Sequence, residues 1–354
     1  MNILQVCSRY YPEFGGIEEQ VRNISEKLAR NHEVTIATTD SLGEMPKEDV
    51  INGVKVTRFK SWAPNDAYYF SKGLRNYLVK NSDSFDVVHS HNYHALPALY
   101  AAQAKRSNKL ITTPHYHGTG HTLFRKLLHV PYKFWGKTIL EKADKVVCVS
   151  NYERDLVMKK FKVGERKIVV VPNGLNAAEF KGLRRRSKSY RTILYVGRLE
   201  KYKGVNYTIE ILPRLDNDIV LEIVGKGPFR KHLKKLVARL GLEDRVSFLQ
   251  DLPRDELLQK YADADLFALL SEHEAYGICV LEALACGTRC IVADASALSE
   301  WVDNENCYGI DNPMDFEKLA NLVNSNIGKS VKRPVYAYDW REIAEKLVSL
   351  YESC

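Results

Sequence analysis

The stretch Ser271-Glu272-His273-Glu274-Ala275-Tyr276-Gly277-Ile278-Cys279-Val280-Leu281-Glu282-Ala283 decides the architecture. Before it, Leu266–Leu270 is a short apolar run of strand type, and from Ile278 to Ala285 the pattern turns helical. Strand, polar loop and helix in that order make one β/α unit. The first-turn N–H groups of a helix lack intrahelical acceptors, so Gly277 and Ile278 suit a phosphate oxygen. Glu274 and Glu282 stand eight residues apart. On a continuous helix that spacing is a rise of about 12 Å. It exceeds the roughly 5–9.5 Å between the paired carboxylates of glycoside hydrolysis. The two are therefore read as separate hydroxyl-binding carboxylates, not as an acid and a nucleophile.

The same arrangement occurs upstream. Thr192–Val196 reads as a strand and runs into Gly197-Arg198-Leu199-Glu200-Lys201-Tyr202-Lys203-Gly204, after which a helix begins. In open α/β sheets, ligands bind beyond the carboxyl ends of strands. Arg198 and Lys203 emerge there, and a guanidinium fork with a point-charge ammonium suits a diphosphate. An isolated Arg/Lys pair also fits two surface cations; the Glu274 loop tips the reading toward a site.

Further outward, short β-branched runs alternate with amphipathic stretches along the chain. Strands are expected at Ile3–Cys7, Val34–Thr38, Val54–Phe59, Val87–His89, Leu110–Thr113 and Val146–Val149. A second set is expected at Thr192–Val196, Leu221–Val224, Val246–Gln250, Leu266–Leu270 and Cys290–Ala293. Alternation of this kind implies parallel sheets with right-handed crossovers. Two such sets imply two Rossmann-like α/β domains, 1–174 and 175–334. A closing helix in 335–354, with Ile343, Leu347 and Leu350 at helical spacing, is expected to return to the first domain. The polar run Lys181–Ser189 reads as a solvated linker.

Length and composition agree with this. The chain has 354 residues, 45% hydrophobic and 27% charged, which suits two globular domains. No apolar run approaches a membrane span. Met1–Val6 runs directly into a strand pattern with no basic leader, so no secretory signal is expected. The net charge of +8 is uneven: residues 1–175 hold 26 basic and 17 acidic side chains, and the remainder 26 and 27. The basic half suggests an anionic partner. Seven cysteines with no CxxC pattern read as reduced, mostly buried thiols.

Other features are weaker. Gly15-Gly16 precedes a helix and would admit a ligand close to its N-terminus, but GxGxxG is absent, which disfavours a nicotinamide enzyme. Six of the ten histidines lie between 89 and 121, where zinc is a competing reading without matching Cys or carboxylate spacing. The triplets Asp216-Asn217-Asp218 and Asp263-Ala264-Asp265 read as structural. Residues 123–137 and 58–80 mix basic and aromatic side chains in a pattern that fits a membrane interface or a solvated helix face.

The chain resembles the retaining glycosyltransferases of family 4, which have the two-domain GT-B fold. The resemblance rests on Glu274-x7-Glu282, followed by Ala283-Leu284-Ala285-Cys286-Gly287-Thr288. It is supported by Gly15-Gly16, Thr113-Pro114-His115, Val149-Ser150, Pro172-Asn173-Gly174, Gly197-Arg198-Leu199, Lys203-Gly204, Val224-Gly225-Lys226-Gly227-Pro228 and Asp339-Trp340. Tyr276 stands where Phe is commoner, and Arg289 replaces a usual Pro.

The resemblance implies two domains facing across a cleft. It implies a nucleotide-diphosphate sugar donor held by Glu274 on the sugar, Glu282 on the ribose, and Arg198 and Lys203 on the diphosphate. Gly277 and Ile278 would bind at the helix start, Gly16 would approach phosphate or acceptor, and Leu249–Leu252 would lie near the base. His115, with His117 as its rival, would lie near the transferring sugar. The expected activity is hexosyl transfer with retention, without metal or cofactor, to a glycan or lipid-linked acceptor. The basic half would meet an anionic membrane surface, and no nucleic-acid partner is expected. The expected location is the cytoplasm or the inner membrane face. A nucleotide-sugar 2-epimerase is the alternative on the same fold.

Overall fold

The computed structural model describes residues 1–13, 15–64, 67–118, 134–331 and 337–354. The chain forms two compact units, Met1–Gly174 with Tyr338–Cys354, and Leu175–Ala337.

The first unit is built on an eight-stranded sheet. Its strands are β1 (Asn2–Val6), β2 (Glu33–Asp40), β3 (Glu48–Ile51), β4 (Val54–Lys60), β5 (Val87–His91), β6 (Lys109–Thr113), β7 (Lys145–Cys148) and β8 (Ile168–Val170). They lie in the order β3-β4-β2-β1-β5-β6-β7-β8. All pairs are parallel except β3 with β4. The sheet is thus parallel as expected, and the edge strand β3, which no sequence pattern marked, adds one antiparallel pair. Asn52 and Gly53 both have positive φ, 50° and 83°, which fits a tight two-residue hairpin and returns the chain antiparallel.

Helices cover both faces of this sheet. Helix α1 (Gly16–Leu28) packs Val21, Ile24 and Leu28 into the same apolar cluster as Ile343, Leu347 and Tyr351 of the final helix, Trp340–Ser353. On the opposite face lie α2 (Lys72–Asn81) and α3 (Leu96–Ala104), with Leu74, Leu78 and Ala98 buried. Helix α4 (Asn151–Phe161) starts from a Ser150 cap that accepts the Glu153 N–H.

The second unit has six parallel strands, β9 (Arg191–Val196), β10 (Ile219–Val224), β11 (Val246–Leu249), β12 (Leu266–Leu269), β13 (Cys290–Ala293) and β14 (Cys307–Ile310). Their order is β11-β10-β9-β12-β13-β14. The order reverses between β9 and β12, and a reversal leaves a crevice at the carboxyl ends of those two strands. These two strands end in the Arg198–Lys203 loop and the Glu274 loop. Their side chains are apolar on both faces, as a sheet covered on both sides requires. The helices are α5 (Val205–Ile211), α6 (Arg230–Leu240), α7 (Arg254–Asp263), α8 (Ile278–Ala285) and α9 (Phe316–Asn326); α10 is the final helix, Trp340–Ser353.

The polar run Lys181–Ser189 is more than a solvated linker. Arg186 pairs with the buried Asp263 at 2.5 Å, and Arg185 pairs with the buried Asp265. Asp265 also accepts the Thr192 N–H at 2.8 Å, so it fixes the start of β9. The other triplet is engaged likewise: Asp216 and Asp218 both take the Arg191 guanidinium, each at 2.7 Å. Arg289, which replaces a usual Pro, is buried and donates to the Ser330 carbonyl at 2.8 Å. Most of the basic–aromatic segment 123–137 lies outside the described residues. Among the described residues, no helix is long and apolar enough to cross a membrane.

Candidate functional site

The β9 and β12 loops are drawn together at the reversal. Gly204 adopts φ +71°, and a Cβ there would sit 2.1 Å from the Leu270 carbonyl oxygen, so only glycine lets the loop pass this close. The Glu272 N–H donates to the Tyr202 carbonyl at 2.9 Å, tying one loop to the other. Tyr195, buried in β9, donates its hydroxyl to the Arg198 carbonyl at 3.0 Å and shapes the turn from below.

These constraints bring Lys203 to Glu274. The ammonium donates to Oε1 at 2.5 Å, and the two side chains are only 15% and 14% exposed. Burial opposes the Lys203 charge, but the Glu274 carboxylate outweighs it and holds the ammonium above its usual range. The Glu274 N–H donates to Ser296 Oγ at 3.0 Å, which anchors the backbone carrying the carboxylate. Arg198 leaves the same turn, exposed, with its Nε 3.2 Å from Glu200. Glu274 is not helical: α8 begins at Ile278 after Gly277, whose φ of +93° sets the start of the helix. Tyr276 stands edge-on to Trp301, which donates to the Tyr276 carbonyl at 2.7 Å.

Glu282 lies within α8, buried, and has a cation of its own. Arg254 Nη1 donates to Glu282 Oε1 at 2.5 Å. Neither Arg254 nor its second partner, Glu179, stood out in the sequence. Arg254 and Glu282 are 28 residues apart, and no local pattern links them.

The remaining candidates belong to the first unit. Gly16 opens α1, preceded by Gly15 in extended backbone. The start of that helix also carries a buried carboxylate, Glu18, which accepts from Arg9 Nε at 2.9 Å. His115 follows β6 with φ 51°, a left-handed value that is costly for a side chain with a Cβ. Its neighbour Tyr116 donates its N–H to Glu153 at 2.5 Å, and Glu153 also accepts from Val149 N–H at 2.7 Å. Burial pushes the Glu153 carboxyl up to about 8 despite those two donors. The His115 ring lies parallel to His91 at 5.9 Å, and His91 stacks on His89 at 4.3 Å. Burial depresses His115 and His89 to about 3, and His91 well below its ordinary value. His117 follows two residues on and is less buried. Among the described residues, no three His, Cys, Asp or Glu side chains converge as a metal set.

Residues 14–179 match the model for Glycosyltransferase Family 4, and residues 178–343 match that for Glycosyl transferases group 1. The chain is a GT-B glycosyltransferase of family 4-like type. An uncharacterized glycosyltransferase of Methanocaldococcus jannaschii is 28% identical to this glycosyltransferase, covering 99% of the chain and 98% of the relative. The GDP-mannose:cellobiosyl-diphosphopolyprenol alpha-mannosyltransferase of Xanthomonas campestris is 23% identical, covering 100% and 97%. The phosphatidylinositol N-acetylglucosaminyltransferase GPI3 subunit of Saccharomyces cerevisiae is 24% identical, covering 99% and 82%. Among solved structures, sucrose-phosphate synthase from Thermosynechococcus elongatus superposes on this glycosyltransferase with a TM-score of 0.81 at 20% identity, covering 100% and 99%. Anabaena HepE in complex with UDP-glucose gives 0.79 at 18%, covering 99% and 100%.

Proposed function

We propose that this glycosyltransferase moves a hexosyl group from a nucleotide-diphosphate sugar to a glycan or lipid-linked acceptor, with retention and without a metal. The observation that carries the reading is the largely shielded Lys203–Glu274 pair at the β9/β12 reversal, beside the N-terminus of α8. Leu175–Ala337 is the donor unit, and Met1–Gly174 the acceptor unit. Lys203 and Arg198 neutralise the diphosphate, and first-turn N–H groups at Gly277 and Ile278 add to that field. Glu274 accepts hydroxyls of the sugar once the diphosphate draws Lys203 away from it. Glu282 accepts the ribose hydroxyls. His115, uncharged at neutral pH, serves as a hydrogen-bonding wall for the sugar, and Gly16 leaves room for phosphate or acceptor.

In the transfer, the bond from the anomeric carbon to the diphosphate oxygen breaks, and a bond to the acceptor oxygen forms on the same face. The acceptor hydroxyl proton passes to the departing diphosphate, whose charge the two cations stabilise.

A lipid-linked acceptor gains support from the relatives whose names carry phosphatidylinositol and diphosphopolyprenol. The positive excess in residues 1–175 would place that unit against an anionic bilayer. A screen of UDP-, GDP- and ADP-sugars, read by thermal shift and hydrolysis, tests the reading. Stabilisation by at least one is expected. NAD binding without any nucleoside diphosphate binding would overturn it, and conversion of a donor without an acceptor would favour the epimerase.

A further inference from the structure

Glu282 is buried, with 6% of its surface exposed. A carboxylate so placed stays ionised only beside a compensating charge. Arg254, the first residue of α7, supplies that charge and is itself held from the other side. Its Nε donates to Glu179 Oε2 at 2.8 Å while its Nη1 donates to Glu282 Oε1. Glu179 lies in the short turn Ala177–Phe180, and its second oxygen accepts from Asn176 Nδ2 at 3.1 Å. Burial opposes the guanidinium charge, but Glu282 and Glu179 outweigh it and keep Arg254 fully protonated.

The guanidinium is planar, so two bonds to two fixed carboxylates set its plane. The Glu282 carboxylate that meets it is thereby oriented as well as ionised. An ionised carboxylate only accepts hydrogen bonds; a protonated one must also donate. A ribose cis-diol offers two O–H donors, so it is read well by the ionised, oriented form.

We propose that Arg254 is a positioning residue for the nucleotide ribose: braced on Glu179, it keeps Glu282 charged and aimed, and so makes the donor unit select ribonucleotides over 2′-deoxyribonucleotides. The inference rests on the reading of Leu175–Ala337 as the donor unit. Asn176, Glu179 and Arg254 form the support, and Glu282 makes the contact.

Isothermal titration of the full chain with UDP, GDP and ADP, each against its 2′-deoxy counterpart, tests this. A site built to pair a hydroxyl rejects the analogue that lacks it, so the wild type is expected to favour the ribonucleotide by about tenfold or more. Arg254→Ala is expected to bring that ratio close to the value for Glu282→Gln. Arg254→Lys, which keeps the charge without the fork, and Glu179→Gln are expected to fall between. These two milder variants keep the test valid if Arg254→Ala does not fold. An arginine of purely structural value would weaken both nucleotides equally and leave the ratio intact; that result overturns the inference, as does a wild type that binds both forms equally. Absence of binding by all three ribonucleotides overturns the proposed function itself, and this inference with it.

Discussion

The Lys203 ammonium meets the Glu274 carboxylate at 2.5 Å, although 71 residues separate them in sequence. The contact spans the point where the sheet order reverses between β9 and β12. Each side chain satisfies the charge of the other. Under the proposed function an anionic donor would compete for the lysine, so the two members are expected to respond differently to mutation.

Lys203→Ala leaves the half-buried Glu274 without its cation. The expected loss of stability is about 1–3 kcal/mol, below the full cost of a deeply buried pair because both groups retain some exposure. Glu274→Gln removes the charge and keeps the shape, so the loss should be smaller. On turnover, both are expected to reduce kcat/KM by about a hundredfold or more. Chemical denaturation together with initial rates separates the two effects. A Lys203→Ala enzyme of full activity would sink the assignment.

Gly204→Ala tests the close approach of the two loops. The new Cβ meets the Leu270 carbonyl, and φ +71° adds strain of its own. The β9 loop is expected to move outward, lowering affinity for nucleoside diphosphates while the rest of the sheet remains intact. Unchanged affinity, with unchanged melting temperature, would mean that the loop spacing does not matter for binding.

Part of this was legible before any coordinates. Parallel strands buried on both faces are continuous β-branched runs, so β9, β10, β12 and β13 stand out in the sequence. Helix α3 does not: seven of its nine residues are buried, so no amphipathic period marks it. Strand β14 is four residues long with Gly309 inside it, and β3 is a short polar edge strand, so both lack a strong pattern. In the site, the residue types and loop positions of Lys203 and Glu274 can be read locally. Their partnership cannot, because it depends on strand order. Arg254, Glu179, Arg185 and Arg186 are hidden for the same reason: each meets a carboxylate or guanidinium at least 28 residues away.

The Asp263-Ala264-Asp265 triplet should behave as a structural clamp. Asp265→Asn is expected to lower stability by about 1–3 kcal/mol, since it weakens a hold on both Arg185 and the β9 start. Turnover per folded molecule should stay near that of the wild type and persist in excess chelator. A selective loss of turnover restored by added divalent cation would reassign the triplet to metal binding.

The histidine stack makes the first unit sensitive to acid. His89 and His115 titrate near 3 when folded, against about 6.5 when unfolded. Between those values the unfolded chain binds more protons, so stability rises with pH and is lost on acidification from about 6.5 towards 3. Glu153 acts in the opposite sense: its folded value of about 8 lies above the unfolded value, so its contribution to stability falls as pH rises from 4.5 to 8. Each proton contributes a slope of up to about 1.4 kcal/mol per pH unit. With His91 also depressed, the histidines outnumber Glu153 below pH 6.5, and the net slope there should be positive. Urea melts between pH 4.5 and 8 measure it. His89→Gln should flatten the acid limb, and Glu153→Gln should remove the decline above neutrality.

Under the proposed function, Lys203 at the β9/β12 reversal holds the diphosphate of the donor. Titration of the wild type and Lys203→Ala with a nucleoside diphosphate and with the corresponding nucleoside tests it most directly. The diphosphate is expected to bind the variant at least about tenfold more weakly, while the nucleoside binds both proteins alike. Equal affinity of the diphosphate for both proteins would contradict it.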